Sequence, residues 1–203
     1  ITAKALTVSG INASDKTYNG STSATMDGTL AVYSGLVSGD TLTGTYSGVF
    51  DNANVGTGKT VTITSSYGGT DVNNYTITDQ ASTTADLTKR SLVLATFSAS
   101  DKVYDGDNTV TTSSSISGYV GSETISHSLT ATFDNKNVGS NKAVTVNSIS
   151  LADGTNGGLA ANYSLSTGQT TTANITPKTL TATAASTDKT YDGTTTATTT
   201  LTF

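Results

Sequence analysis

The phrase Ser14-Asp15-Lys16-Thr17-Tyr18-Asn19-Gly20 occurs three times, with small changes, in a chain of 203 residues. Its later copies are Ser100-Asp101-Lys102-Val103-Tyr104-Asp105-Gly106 and Thr187-Asp188-Lys189-Thr190-Tyr191-Asp192-Gly193. Lys16 to Lys102 is 86 positions and Lys102 to Lys189 is 87, which indicates one structural unit used in tandem. A unit of roughly 87 residues is long enough to fold as one small domain.

Two further phrases recur at the same step. Phe50-Asp51-Asn52-Ala53-Asn54-Val55-Gly56 returns as Phe133-Asp134-Asn135-Lys136-Asn137-Val138-Gly139. Asn74-Tyr75-Thr76-Ile77 returns as Asn162-Tyr163-Ser164-Leu165. We therefore predict a first repeat at 1–87, a second repeat at 88–174, and the incomplete start of a third repeat at 175–203.

Apolar residues alternate with polar ones in several segments, which predicts half-buried strands. Leu42, Tyr46 and Phe50 share one phase, and Val61 and Ile63 alternate with threonine. No window has the spacing of an amphipathic helix. We predict strands in the first repeat near 4–9, 21–26, 30–32, 42–50, 60–66, 75–78 and 83–87. The predicted strands of the second repeat are near 92–98, 108–113, 129–133, 143–150, 163–166 and 171–175.

Short strands with frequent turn signals are typical of a β-sandwich. The predicted fold class is all-β, with tandem antiparallel, immunoglobulin-like sandwiches arranged as a rod; β-grasp-like repeats are the alternative. The last strand of each repeat leads into the next repeat within a few residues, at 86–92 and at 175–180. Joins this short predict a stiff connection.

The chain is acidic and lacks cysteine. Its formal net charge is −5 and its isoelectric point is about 4.5, whereas nucleic acids and anionic membrane surfaces select basic patches. No apolar run has the length of a membrane span. We expect no nucleic-acid partner and no membrane insertion. The absence of cysteine suits domains that are exported unfolded and fold without disulfides, and it suits a cytoplasmic protein equally.

The first phrase has a structural and a functional interpretation. The structural one is a strand end with an inward tyrosine, closed by an Asn-Gly or Asp-Gly turn in which glycine supplies positive φ. The functional one is a metal or carbohydrate site that uses Asp15 and Asn19. Asn19 stands where the other copies have aspartate, which a turn tolerates, so we favour the turn. The turn residues are Asp15, Lys16, Tyr18, Asn19 and Gly20, then Lys102, Tyr104, Asp105 and Gly106, and finally Lys189, Tyr191, Asp192 and Gly193.

The second phrase also reads as a tight loop. Asx side chains cap it and phenylalanine and valine anchor it; its residues are Phe50, Asp51, Asn52, Asn54 and Gly56, with Phe133, Asp134, Asn135, Asn137 and Gly139. The rival is Ca²⁺, which prefers oxygen ligands. The most acidic stretch gives Asp101, Asp105 and Asp107 as Ca²⁺ candidates. We expect no other cofactor.

Two reactive possibilities depend on single residue types. Lys16, Lys59, Lys102 and Lys142 recur near Asn and Asp, as in the cross-links of lysine to asparagine or aspartate in cysteine-free bacterial surface proteins. Lysine on a strand edge is the commoner reason for such a residue. His127 is the sole histidine, and the many hydroxyl groups lack a base to activate them. We therefore predict that the chain is not an enzyme.

Taken together, Lys-x-Tyr-Asp-Gly, Phe-Asp-Asn-x-Asn-Val-Gly, Asn-Tyr-x-Leu and Ile-Thr-Pro-Lys resemble the tandem YDG-type repeats. Those repeats, like the related MBG-type repeats, occur in very large exported bacterial proteins of the filamentous-haemagglutinin and adhesin kind. The resemblance implies extracellular β-rich stalk modules at the bacterial cell surface, which extend a functional tip or contribute to a biofilm matrix. It implies no catalytic residue.

These observations give one expected function and two alternatives. The expected function is a structural stalk or spacer of an adhesin or surface filament, whose partners are neighbouring repeats of the same chain. One alternative is glycan binding through Asp15–Gly20 or Asp51–Gly56, with avidity from tandem copies. The other is a self-assembling fibre, in which 175–203 pairs with a strand of another chain.

Overall fold

The computed structural model describes all 203 residues and confirms the all-β fold class. Its strands are joined by turns and by two short 3₁₀ helices, Val72–Asn74 and Ala160–Asn162, and there is no α-helix. A β-grasp arrangement, in which a helix covers a sheet, therefore does not describe it. No helix has the length and apolar character needed to span a bilayer.

Residues of the first repeat form ten strands. They are β1 (Lys4–Ser9), β2 (Asn12–Ala13), β3 (Lys16–Thr17), β4 (Ser23–Ala24), β5 (Met26–Asp27), β6 (Val32–Ser34), β7 (Thr43–Phe50), β8 (Gly56–Gly68), β9 (Tyr75–Thr78) and β10 (Ser82–Thr88). One sheet has the order β6-β1-β9 and a second has the order β3-β10-β8-β7-β4, while β2 and β5 form a separate pair.

The second repeat reproduces the larger sheet. Its strands are β11 (Arg90–Ser91), β12 (Val93–Ala99), β13 (Lys102–Val103), β14 (Thr112–Ser117), β15 (Ile125–Phe133), β16 (Gly139–Asp153), β17 (Tyr163–Ser164) and β18 (Thr170–Thr176). The order β13-β18-β16-β15 matches β3-β10-β8-β7, and a bridge between Thr109 and Thr132 takes the place of the β4–β7 pairing. Two smaller sheets pair β11 with β17 and β12 with β14.

The sheets are not purely antiparallel, which corrects that part of the predicted sandwich. β1 pairs with β9 in parallel, and β3 pairs with β10 in parallel. The second repeat has the same two parallel pairings, β11 with β17 and β13 with β18. Parallel neighbours need a long connection, and each of these pairs is separated by most of a repeat. Turn residues in the sequence indicate antiparallel hairpins between consecutive strands. The sequence pattern therefore could not reveal parallel pairings between strands that are distant in the chain.

Alternating burial along the strands builds two apolar clusters in the first repeat. One contains Leu6, Val8, Ile11, Ile63 and Tyr75. The other contains Phe50, Val61, Ala85 and Leu87. The corresponding buried positions of the second repeat are Phe133, Val144, Ala173 and Ile175.

The turn that follows the second phrase requires a left-handed residue. Gly58 has φ +57° and Asn141, its counterpart, has φ +51°. Their backbone N–H groups donate to the side chains of the last strand, Gly58 to Asp86 Oδ1 (2.7 Å) and Asn141 to Asn174 Oδ1 (2.8 Å). Glycine and asparagine are the residues that adopt this conformation most readily, which explains the exchange.

The chain divides into two compact units that do not follow the sequence repeats. Unit 1 contains residues 1–95, 115–129 and 149–167. Unit 2 contains residues 96–114, 130–148 and 168–203. Unit 1 therefore holds the first repeat together with the adjoining end of the second repeat.

Residues that open the third repeat form a small exposed hairpin within unit 2. β19 (Thr183–Ser186) pairs antiparallel with β20 (Thr199–Thr202). At the offset of 87 residues these strands correspond to parts of β12 and β14, so the stub makes the first pairing of a repeat. Its side chains are exposed throughout.

Candidate functional site

The most elaborate side-chain site of the molecule is the junction of the two repeats, which lies wholly inside unit 1. Tyr18 of the first repeat is buried in a cluster with Leu92, Ile116, Ile125 and Tyr163 of the second. Ala53 and Val55 of the second phrase also pack on this cluster. The first repeat thus contributes side chains to an apolar cluster that is built mainly from the second repeat. We call this set of contacts the junction.

A carboxylate lies between two tyrosines at the junction. Tyr18 OH donates to Glu123 Oε1 (2.8 Å) and Tyr163 OH donates to Glu123 Oε2 (2.6 Å). The backbone N–H of Val120 donates to Tyr163 OH (3.0 Å). The rings of Tyr18 and Tyr163 meet edge to face, with centroids 5.4 Å apart and an interplanar angle of 80°. Each carboxylate oxygen therefore accepts from one tyrosine hydroxyl group, Oε1 from Tyr18 of the first repeat and Oε2 from Tyr163 of the second.

This environment disfavours ionisation of both tyrosines. Burial, reinforced by hydrogen bonding to the Glu123 carboxylate, raises the pKa of Tyr163 to about 12. The same two causes, in the same order, raise the pKa of Tyr18. The hydroxyl groups stay protonated, and they remain hydrogen-bond donors to Glu123 at neutral pH.

An asparagine side chain makes the second polar contact of the junction. Asn162 is 1% exposed and accepts the backbone N–H of Val55 through Oδ1 (2.9 Å). Its Nδ2 donates to Asn54 Oδ1 (3.1 Å). A buried amide without partners would be costly, and here the opposite repeat supplies both of them.

One glycine allows the close approach of the repeats. Gly20 has φ +75°, and a Cβ atom built on it would lie 2.9 Å from Cγ1 of Val120. Its counterpart Gly106 has φ +94° and no atom within 4 Å of that position. Gly20 therefore serves both the turn and the contact with the second repeat.

Sequence reasoning missed this junction. It treated the three recurring phrases as separate turns, with the tyrosine facing inward in its own domain. Instead, Tyr18 and Asn54-Val55 form one side of the junction and Asn162-Tyr163 forms the other. The sequence signal that could have revealed the junction is the equal spacing of the phrases. In a tandem array each repeat contacts the next through the same interface, so every copy carries the residues of both sides.

Copies of the tyrosine without a following complete repeat are more exposed. The backbone N–H of Tyr18 donates to Thr88 O and that of Tyr104 donates to Thr176 O, both at 2.9 Å. The two backbones are therefore held alike, yet Tyr18 is 4% exposed and Tyr104 is half-buried. Tyr191 in the stub is 92% exposed.

The lysine of the first phrase organises the turn in each copy. Lys16 Nζ donates to the carbonyl groups of Ser21 (2.6 Å) and Ser23 (2.7 Å), and it lies 5.4 Å from the centroid of the Phe50 ring. In the stub, Lys189 Nζ bonds Asp192 Oδ1 and Thr194 Oγ1, both at 2.7 Å. The hydrogen bonds of the lysine are local, so they form in the stub as well.

The three Ca²⁺ candidates do not converge. Asp101 Oδ1 and Oδ2 accept from Asn174 N (2.6 Å) and Nδ2 (2.9 Å), as Asp15 Oδ1 accepts from Asp86 N (2.7 Å). Asp105 and Asp107 instead contact Lys102 Nζ, both at 2.7 Å. The ammonium group thus supplies positive charge between these two carboxylates. No group of three or more His, Asp or Glu side chains has an arrangement that could hold a metal ion.

The charges of this turn stabilise one another. Partial burial opposes the charge of Lys102, but Asp105 and Asp107 outweigh it and raise the pKa of Lys102. Hydrogen bonds from Lys102 and then Thr109 lower the pKa of Asp107 to about 2. The pair Lys102–Asp107 is therefore ionised throughout the neutral range.

The second phrase is held by a lysine seven positions beyond its first asparagine. Lys59 Nζ contacts Asp51 Oδ1 (2.8 Å) and Asn52 Oδ1 (2.9 Å). Lys142 makes the same contacts with Asp134 (2.7 Å) and Asn135 (2.8 Å). Hydrogen bonding from the lysine is the main cause that lowers the pKa of Asp51 and of Asp134. An ionised carboxylate favours the salt bridge, whereas amide formation with asparagine needs a neutral amine.

We expect Lys59→Met to lower the free energy of unfolding by about 1 kcal/mol, and Lys142→Met to do the same. Methionine keeps the buried stem of the side chain but loses the ion pair, whose energy is reduced because Asp51 is half exposed. Urea denaturation of both variants measures the effect. A loss of stability at one of the two matched positions and not at the other would contradict this interpretation.

The intact mass of the protein tests for a lysine–asparagine cross-link. Each such bond releases one ammonia, so a cross-linked chain would have a mass lower than the sequence predicts by that amount.

We expect stability to decline between about pH 10 and pH 12. An unfolded tyrosine titrates near pH 10, so the stabilisation from neutral Tyr163 is complete below that pH and is lost as the pH rises through about 12. Tyr67, whose pKa burial raises to about 12, adds to the trend in the first repeat. Urea denaturation at several pH values measures the slope, and Tyr163→Phe should reduce it; an unchanged slope would contradict the assignment.

The fold and the junction thus define the class of this protein. It is an all-β protein of tandem repeats, and its consecutive repeats share an apolar core. The profile of the YDG domain matches residues 2–85 and 88–173, which together are most of the chain. The chain belongs to the YDG domain family and contains two copies of the domain. Searches of curated proteins and of solved structures gave no match.

Proposed function

We propose that this chain is a length of stalk in an exported bacterial surface protein, such as an adhesin or an extracellular filament. The observation that carries the proposal is the junction, in which Tyr18, Val55 and Asn162 fix one repeat to the next. A spacer needs such a contact because a flexible linker between repeats samples many bent conformations, which shortens the average distance that the repeats span. The role is mechanical and requires no catalysis.

The composition agrees with a place outside the cell. The chain has no cysteine and few charged residues, at 12%, and threonine side chains cover the exposed strand faces. Such repeats fold without disulfides after export. In this proposal the number of repeats sets the reach of a functional tip or of a matrix filament.

The junction also adds to resistance against force. In a chain of repeats, stability is the sum of the stability of each repeat and the interface terms between neighbours. If one repeat unfolds under load, its roughly 87 residues can extend toward ~300 Å. Consecutive repeats that share a core should therefore unfold in larger steps than independent domains do.

Small-angle X-ray scattering tests the spacer. A compact globule of 203 residues would have a radius of gyration of about 17 Å, whereas two rigidly joined repeats in line should exceed about 20 Å. We expect the larger value, unchanged by a calcium chelator. A value near that of a globule would refute the proposal, and a contraction on chelation would restore the Ca²⁺ hypothesis.

A further inference from the structure

Two asparagine–glycine pairs occur in the chain, Asn19-Gly20 and Asn156-Gly157, and both asparagines are exposed. Asparagine before glycine is prone to deamidation, because glycine has no side chain that shields its backbone nitrogen from the neighbouring amide carbon. The hydrogen bonds of the two asparagine side chains differ. That difference makes Asn19 the more reactive of the two.

The turn activates the amide carbonyl group of Asn19. The backbone N–H of Ser21 donates to Asn19 Oδ1 (3.1 Å). An N–H group in this position stabilises the negative charge that develops on the oxygen when a nucleophile attacks the amide carbon. In Asn156 the hydrogen bond lies on the other side of the amide, because Nδ2, the group that would leave, donates to Ser122 O (2.9 Å). The contacts therefore favour attack on Asn19 and oppose it on Asn156.

The other copies of the turn have the product of this reaction already in their sequence. Asp105 contacts Lys102 Nζ and Asp192 contacts Lys189 Nζ, both at 2.7 Å. Lys16 is the corresponding lysine of the first copy, and its Nζ donates to backbone carbonyl groups instead of a carboxylate. Burial lowers the pKa of Lys16, whereas the carboxylates raise that of Lys102. An aspartate at position 19 would supply the missing partner.

The turn does not have to move to form this pair. Asn19 Oδ1 accepts the backbone N–H two positions later, and Asp105 Oδ1 accepts that of Asp107 in the same way (3.2 Å). Lys102 contacts its carboxylates while it also donates to Thr109 O (3.0 Å), the counterpart of one of the two carbonyl groups that Lys16 contacts. The lysine can therefore keep a carbonyl contact and gain the ion pair.

We propose that Asn19 is a self-modification site, whose conversion to aspartate gives Lys16 the ion pair of the other copies. The backbone nitrogen of Gly20 bonds to Asn19 Cγ, the bond from Cγ to Nδ2 breaks, and Nδ2 leaves as ammonia with the proton from Gly20. Water then opens the cyclic imide at Cγ, which restores the ordinary backbone and leaves an aspartate side chain. Water is the only co-reactant. The reaction goes beyond the stalk role and does not depend on it.

Water can also open the imide at the backbone carbonyl carbon, which gives isoaspartate and adds a methylene group to the backbone before Gly20. Space for that group is limited, since a Cβ atom built on Gly20 would lie 2.9 Å from Cγ1 of Val120. We therefore expect aspartate to be the main product in the folded chain.

Incubation of the full chain in mildly alkaline buffer, followed by peptide mass spectrometry, tests the reaction. Deamidation replaces an amide NH₂ group by OH, and we expect it at Asn19 roughly ten times faster than at Asn156, since the N–H of Ser21 activates the carbonyl group of Asn19. In concentrated urea the two rates should become similar, because the turns are lost. A rate at Asn19 that does not exceed the rate at Asn156 in the folded chain would overturn the proposal, as would a preference for Asn19 that persists in urea. Isoaspartate as the main product of the folded chain would overturn it too.

The ion pair is tested with Asn19→Asp, which has the product in place from the start. A carboxylate beside Lys16 favours its charged form, so nuclear magnetic resonance titration should show Lys16 losing its proton at a higher pH than in the wild type. Asn156→Asp adds the same charge at the other asparagine–glycine pair and should leave the titration of Lys16 unchanged. Equal titration of Lys16 in Asn19→Asp and the wild type, or an equal shift in both variants, would overturn the proposed pair.

Discussion

Replacing Tyr18 by alanine should lower the free energy of unfolding by about 3 kcal/mol or more. The substitution removes a buried aromatic ring and leaves a cavity in the junction cluster. It also removes one of the two hydroxyl donors to Glu123. Thermal unfolding and urea denaturation measure the loss, and hydrogen exchange locates it at the amides of Val55 and Val120.

The other two copies of the tyrosine are matched controls. We expect Tyr104→Ala to cost about 1 kcal/mol, since Tyr104 is half-buried, and Tyr191→Ala to change stability by less than about 0.5 kcal/mol. The expected order separates a shared junction from a turn that stabilises each repeat alone. Equal losses at Tyr18 and Tyr104 would show that the tyrosine serves its own repeat, and would remove the main support for the stalk.

Replacing Asn162 by alanine should cost about 2–3 kcal/mol. The substitution leaves the backbone N–H of Val55 and the amide oxygen of Asn54 without their partner in a part-buried contact. Scanning calorimetry measures the loss, and we expect it to appear as earlier unfolding of the contact between the repeats.

Asn74 provides the control for this substitution, because it occupies the same position in the first repeat and is exposed. Asn74→Ala in dilute solution should change stability by less than about 0.5 kcal/mol. If both substitutions were equally harmful, the asparagine would act in the local 3₁₀ turn of each repeat and not in the junction. If neither were harmful, the hydrogen bonds across the junction would contribute nothing measurable.

Local pattern predicted the secondary structure well where one face of a strand is buried. β1 and β9 have the predicted bounds, Lys4–Ser9 and Tyr75–Thr78, because apolar residues alternate clearly there. The predicted strand at 21–26 is two short strands, β4 and β5, that join different sheets. Its sequence has little apolar periodicity, so partners distant in the chain decided where each piece pairs.

The candidate site was only half visible in the sequence. Repetition identified the residues that matter, including Tyr18, Asn54 and Asn162, but gave each phrase a purpose within its own domain. Glu123 was not singled out, because it occurs in no recurring phrase and its counterpart is Asp40. Its importance follows from its two tyrosine partners, which lie 105 and 40 positions away in the chain.

The three copies of the first phrase show which properties follow from the local sequence and which follow from tertiary structure. Gly20, Gly106 and Gly193 have φ of +75°, +94° and +76°, so the turn forms alike in the first repeat, the second repeat and the exposed stub. The exposure of the tyrosine differs among the copies, from 4% for Tyr18 to 92% for Tyr191. Backbone conformation and short-range hydrogen bonds depend on neighbours in sequence, which every copy has. Burial depends on a surface from another repeat, and only tertiary structure brings that surface to Tyr18.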